Sequence, residues 1–166
     1  IADAVICANN CALGGHVTIG DRAFVSGNVG VHQWCRIGRL AMVGACARIT
    51  RDVAPYTLID GVSNRVVGLN VVGIKRSGLT ASDLQQLKAA YRFIFRSRLL
   101  WTEILARLPL EFPTGPASIF AEFLAATKRS ITPERRVHSS STVKLPAEGD
   151  TDMPVESERP LRVRAS

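Results

Sequence analysis

The sequence predicts a β-solenoid followed by a small helical bundle and a disordered tail. Three observations carry that reading. Aliphatic residues recur every six positions through the first third of the chain, apolar residues fall at helical spacing after residue 79, and aromatic residues stop before residue 132.

Residues 31–48 read VHQWCR IGRLAM VGACAR, six to a row. A helix repeats about every 3.6 residues and a strand every 2, so neither accounts for a spacing of six. The rows extend back to the first residue. Their heads are Ile1, Cys7, Leu13, Ile19, Val25, Val31, Ile37, Val43 and Ile49, and their fifth positions are Val5, Cys11, Val17, Ala23, Val29, Cys35, Ala41, Ala47 and Val53. Second positions are mostly Gly, Ala or Ser. Each row reads as a short strand and a turn, with the head in a shared core and polar residues or Gly at the corner. One row cannot bury its own face, so rows must stack, each coil pairing with the next as parallel β-structure. The repeat occupies residues 1–54. It starts at Ile1 without a cap, and an open end exposes unpaired backbone groups. The expectation is therefore the C-terminal part of a longer solenoid; a short solenoid capped by another subunit is the alternative.

The hexads stop at RDVAPY, where Pro55 cannot donate to a strand ladder. Residues 55–78 hold Gly61, Gly68, Gly73 and Gly78 and read as a Gly-rich, turn-rich loop. Residues 79–131 read as the helical domain. Thr80 or Ser82 can cap its first helix, with Asp83 in the first turn and Leu84, Leu87, Tyr91, Ile94 and Phe95 on one stripe. A second helix is expected near 101–108, with Trp101, Ile104, Leu105 and Leu108 on one face and Pro109 and Pro113 breaking it. A third follows Pro116 and carries Ile119, Phe120, Phe123 and Leu124, with Lys128 and Arg129 at its C-terminal end. Residues 132–166, rich in Ser and Thr with balanced charge, read as a disordered tail in which His138 has no expected role.

The formal net charge is +7. The excess lies in residues 1–131, with 15 Lys and Arg against 8 Asp and Glu, whereas residues 132–166 hold 6 of each sign. A basic body suits an acidic partner: nucleotide phosphates, nucleic acid, an anionic membrane or an acidic protein. No apolar run approaches the roughly 18 residues of a membrane span. Cys7, Cys11, Cys35 and Cys46 form no CxxC pair, which argues against zinc, and with no secretion signal read at the N-terminus they are expected as reduced packing thiols.

Two histidines stand inside the repeat, outside the aliphatic heads: His16 in a fourth position and His32 in a second. They read either as surface residues or as the lining of a histidine-bearing cleft. Two do not make the three-histidine zinc set of the γ-class carbonic anhydrases, which share this kind of repeat.

The stretch GGHVTIGDRAFVSGNVGVHQWCRIGRLAMVGACARITRDVAPYTLIDG, the loop VVGLNVVGIKRSG and the helix carrying AAYRFIFRS resemble the UDP-N-acetylglucosamine 3-O-acyltransferases of lipid A synthesis, a hexapeptide-repeat family. The resemblance covers about residues 1–130. It implies a left-handed parallel β-helix of about three coils with three hexads each. It also implies a cytoplasmic homotrimer with sites between neighbouring solenoids, and no cofactor, metal or nucleic acid. The implied reaction moves a 3-hydroxyacyl group from acyl carrier protein to the 3-hydroxyl of UDP-N-acetylglucosamine. The family's general-base histidine would lie about three residues before Ile1, absent from this chain. His16 and His32 match supporting active-site histidines, Gly15 the glycine whose N–H faces the oxyanion, and Gln33 a substrate-contacting glutamine. Asn70 and Arg76 match nucleotide-side residues, and the helical stretch matches the carrier-protein docking region, where Lys88, Arg92, Arg96 and Arg98 suit an acidic carrier.

Three positions depart from the family. Val72 replaces a common glutamate, Ser77 a second arginine, and Ser63 a histidine that limits acyl-chain length. Two other readings stand beside the enzyme: a non-catalytic trimeric binding or assembly protein, and an acyltransferase acting on a related nucleotide sugar.

Overall fold

The computed structural model describes residues 1–135. Eight two-residue strands recur six residues apart: β1 (Ile6–Cys7), β2 (Ala12–Leu13), β3 (Thr18–Ile19), β4 (Phe24–Val25), β5 (Gly30–Val31), β6 (Arg36–Ile37), β7 (Met42–Val43) and β8 (Arg48–Ile49). The first five each pair in parallel with the strand three rows on, Ile6 with Phe24 and Leu13 with Val31. A coil is therefore three hexads, and the stack is a left-handed three-sided prism. Its faces are β1–β4–β7, β2–β5–β8 and β3–β6.

The interior follows the six-residue pattern. The heads Ile19, Val25, Val31, Ile37, Val43 and Ile49 and the fifth-position residues Ala23, Val29, Cys35, Ala41 and Ala47 are all buried in one cluster. Only small side chains fit beside a head within so narrow a prism. Burial pushes the Cys35 thiol up, as a packing residue requires. All four cysteines are free.

The corners are sharper than the sequence suggests. Every fourth position from Ala4 to Cys46 adopts a positive φ between 53° and 66°, including Arg22, Trp34 and Leu40. The corner is thus made by left-handed backbone at a non-glycine position. The glycines at second positions serve another end. A Cβ on Gly38 would sit 2.4 Å from the Pro55 nitrogen, and one on Gly20 2.6 Å from the Arg39 nitrogen. These residues are small because the next coil's backbone lies on them.

The ninth row loses two residues. Ile37 bridges Val53, and Val43 pairs with Ile59, a spacing of sixteen instead of eighteen. Val53, expected in a fifth position, thereby takes a head's place. The stretch read as a loop contains two strands and a helix. β9 (Thr57–Asp60) adds to β7, and β10 (Arg65–Leu69) turns back antiparallel on β9 with a bulge between Val66 and Gly68. The helix α1 (Val71–Arg76) follows, capped by Asn70.

The bundle comprises α2 (Ala81–Arg96), α3 (Trp101–Glu111) and α4 (Ser118–Ala125). Thr80 and Asp83 exchange hydrogen bonds in a capping box at the start of α2, as their spacing predicts. Helix α3 runs through Pro109 rather than ending there. So near the C-terminal end the proline removes a single intrahelical bond, and the Phe112 N–H still reaches Leu108 O at 3.0 Å. Leu87, Ile94, Ile104, Leu108, Phe120 and Leu124 share a core with Leu40, Tyr56 and Ile74, which fastens the bundle to the prism.

Residues 131–135, apart from Ile131 all read as tail, are ordered. Ile131 bridges Asp52 and Glu134 bridges Val66. Thr132 is buried. The rest of the expected tail, with His138, lies outside the described residues.

Candidate functional site

A residue's place on a corner follows from arithmetic. Residues eighteen apart sit one above the other, so His32, Gln33 and Trp34 lie over Gly14, Gly15 and His16. A Cβ on Gly14 would meet the Gln33 nitrogen at 2.5 Å, which shows how closely the coils approach here. His16, His32, Gly15 and Gln33 are thus brought to one corner, between the β2–β5–β8 face and the β3–β6 face. The His16 imidazole stacks on the Trp34 indole with ring centroids 3.9 Å apart and planes 10° from parallel. His32 Nδ1 lies 3.0 Å from Gln33 O. Gly15 O accepts from the Trp34 N–H at 3.0 Å, and the Gly15 N–H has no backbone acceptor among the described residues. Around Gly15 nothing lies within 4 Å of a notional Cβ, so its side-chain face is open. A groove of about 620 Å³ adjoins the stack, lined by His16, Trp34, Arg36, Asp52, Lys128 and Arg129.

Asn70 and Arg76 sit on the next corner. They line a groove of about 660 Å³ with Ala4, Ile6, Arg22, Phe24, Met42 and Val72. The Asn70 amide is committed at both ends: its oxygen accepts from Gly73 N–H at 3.0 Å and its NH₂ donates to Leu40 O at 2.9 Å. Asn70 therefore shapes the groove by capping α1. Arg76 is exposed and, among the described residues, forms no ion pair. Val72 is 58% exposed, an apolar side chain on the groove wall. Within one chain, the histidine corner and the Arg76 corner are separate.

Lys88, Arg92 and Arg96 line a third, smaller groove with Leu69, Val71 and Tyr91, while Arg98 follows the end of α2 and lies outside it. Arg96 is not free. Its Nε and terminal nitrogen both donate to Glu134, the shortest contact 2.6 Å, and the Tyr91 hydroxyl donates to the same carboxylate at 2.8 Å. Desolvation works to raise the Glu134 carboxyl, but these bonds outweigh it and hold it below its ordinary range. Burial and then the Glu134 contact push the Tyr91 phenol up. Ser63 donates through both N–H and hydroxyl to Asp60 at 3.0 and 2.7 Å, which lowers that carboxyl.

Two residues were not anticipated. Trp34 was legible as the position eighteen after His16. Glu134 carried no signal, because it lies in a segment without periodicity. Among the described residues no group of three or more His, Cys, Asp or Glu could hold a metal ion, and no helix is long and apolar enough to cross a membrane.

A prism of hexads is the frame of the hexapeptide-repeat acyltransferases, and in this chain it carries a histidine corner and a helical cap. A family model described as UDP N-acetylglucosamine O-acyltransferase, domain 2, matches residues 52–132. The acyl-[acyl-carrier-protein]–UDP-N-acetylglucosamine O-acyltransferase of Synechocystis sp. is 49% identical over 108 residues, 65% of this chain and 39% of the relative. The enzyme of that name from Anaeromyxobacter sp. (strain K) is 40% identical over 133 residues, 80% of this chain and 52% of the relative. Among solved structures, the Francisella novicida UDP-N-acetylglucosamine acyltransferase superposes with a TM-score of 0.74 at 30% identity, over 78% of this chain and 48% of that one. The Arabidopsis enzyme gives 0.73 at 33% identity, over 81% and 50%. The chain belongs to the UDP-N-acetylglucosamine O-acyltransferase family. It spans about half the length of its relatives, between 39% and 52% of the two curated ones.

Proposed function

We propose that the natural protein transfers a 3-hydroxyacyl group from acyl carrier protein to the 3-hydroxyl of UDP-N-acetylglucosamine, the first step of lipid A biosynthesis, in the cytoplasm as a homotrimer. One observation carries this reading. The histidine corner and the Arg76 corner are different edges of the prism, each beside an open groove. Three copies around a threefold axis set one copy's histidine edge against its neighbour's Arg76 edge, so each pair of copies completes a site.

In that site a histidine upstream of Ile1 takes the proton of the sugar hydroxyl, and the oxygen attacks the thioester carbonyl. The Gly15 N–H stabilises the tetrahedral oxyanion. Collapse forms the ester and expels the carrier's thiolate, which takes up the proton. His16, His32 and Gln33 flank the reacting groups, and Arg76 meets the diphosphate through a charge-assisted contact. Lys88, Arg92, Arg96 and Arg98 face the acidic carrier.

Mass measurement in solution and a transfer assay with acyl carrier protein and UDP-N-acetylglucosamine test this together. A trimer that forms the acylated nucleotide sugar supports the reading, and a monomer with full activity removes it. Arg76→Ala should weaken UDP-sugar binding about tenfold in calorimetric titration, the loss of one charge-assisted contact; unchanged affinity removes that assignment. The apolar Val72 on the nucleotide groove favours a second reading, a trimeric binding protein without transfer. Carrier binding with no product identifies it.

A further inference from the structure

The fourth position of each row makes three columns along the prism. One holds Ala4, Arg22 and Leu40; one holds Asn10, Asn28 and Cys46; one holds His16 and Trp34. The asparagine column is a ladder, Asn10 Nδ2 donating to Asn28 Oδ1 at 3.2 Å. That contact ties coil to coil. The histidine column differs in three respects. Its rings lie flat on each other at 3.9 Å. Trp34 remains 58% exposed, so the indole is not there to fill the core. The column also stops at Trp34. The next position eighteen on is Asp52, but the two lost residues have turned it inward: Asp52 is 1% exposed, and its carboxylate accepts the Arg36 N–H at 2.9 Å. Beside Trp34 the coil therefore leaves the 620 Å³ groove, which His16 and Trp34 both line.

Gly14 and Gly15 precede His16 and bring no side chain against the imidazole. Trp34 restrains it twice. The indole face removes rotation of the ring, since parallel stacking survives only in one plane. The Trp34 N–H holds the carbonyl of Gly15, in the peptide that His16 itself completes. We propose that Trp34 is a positioning residue, which fixes the plane of the His16 ring toward the groove and acts on the reaction only through His16. This rests on the proposed role of the histidine corner in acyl transfer.

The test uses Trp34→Ala, Trp34→Leu and Trp34→Phe in the natural protein, with two readouts. In the transfer assay, Trp34→Ala and Trp34→Leu should lower kcat by about ten- to a hundredfold, the effect of a displaced catalytic group, with KM for UDP-N-acetylglucosamine unchanged within about twofold. Trp34→Phe should restore most of kcat, because it keeps a stacking face. Leu keeps bulk without that face, so equal activity in Leu and Phe variants overturns the proposal, as does a loss confined to KM. The second readout is the imidazole NMR signals of His16, with those of His32 as control. The indole ring current should shift His16 signals alone, and Trp34→Leu should abolish the shift. If the natural protein transfers nothing, the functional reading fails, and the NMR readout alone decides whether Trp34 holds the ring. Unmoved His16 signals in Trp34→Leu overturn the proposal whatever the assay gives.

Discussion

The prism and its cap are held by different means. In the prism, one rule is repeated: a head, a small partner, a left-handed corner and a close approach at the second position. Stability is shared among equivalent rows, each touching only its neighbours. In the cap, single residues carry separate duties. Phe120 packs on Tyr56 at a ring distance of 5.7 Å, Asn70 closes α1, and Glu134 gathers Tyr91 and Arg96. Removing one has no neighbour to share the loss. A repeat distributes risk, and an irregular cap concentrates it.

The largest expected effect should separate the two regions. Leu124→Ala in the cap should cost about 4–5 kcal/mol and Ile37→Ala in the prism about 2–3 kcal/mol, although both side chains are buried and each change deletes three carbons. Equal losses in chemical denaturation would break the comparison. Next comes Gly38→Ala, at about 2–3 kcal/mol, because the added carbon meets Pro55 backbone that cannot move aside. Gly30, half-buried but with nothing within 4 Å of a notional Cβ, should tolerate alanine in the same experiment.

Glu134→Gln should cost about 1 kcal/mol near neutral pH, a low value because Arg96 is more than half exposed. The carboxyl titrates lower folded than unfolded. Its contribution is therefore complete above the unfolded value, near 4.5, and is lost as pH falls through the folded one. The difference between the native protein and the Gln variant should shrink in acid; a difference that grows there would refute the bond's role. Smallest is Asn10→Asp, about 0.5 kcal/mol, because aspartate tolerates the corner's positive φ but cannot donate to Asn28 Oδ1; it is read from a shift in the urea midpoint.

The same contrast explains what the sequence discloses. From the heads alone, the period places the eight short strands, the buried heads from Ile19 on and the column of each corner residue, whereas the expected core heads Ile1 and Cys7 are exposed. His16 and His32 fall on one corner by counting. The period is silent where it ends. Nothing in RDVAPY announces that Val53 will pair two residues early, since that choice depends on Ile37 across the coil. The hairpin in residues 57–69 is built on the last coil's edge, and its strands look like loop when read without that edge. Pro109 is locally a helix breaker but lies where few intrahelical bonds remain to break. Residues 131–135 have composition without pattern; they are ordered because Asp52 and Val66 offer unpaired backbone.

The shortened ninth row also sets a rule for how such a chain can change its length. Each hexad advances the chain by a third of a turn, so whole coils of eighteen residues can be added or removed upstream without turning anything beyond them. A change of six residues would rotate the whole downstream cap onto the next edge. Placed between the histidine corner and the cap, such a change would set that corner and the cap's grooves in the wrong phase. Hexad number, counted in threes, is thus a phase setting for the cap: a whole coil keeps the phase and a single hexad changes it, whereas the two residues lost in the ninth row are absorbed within one coil.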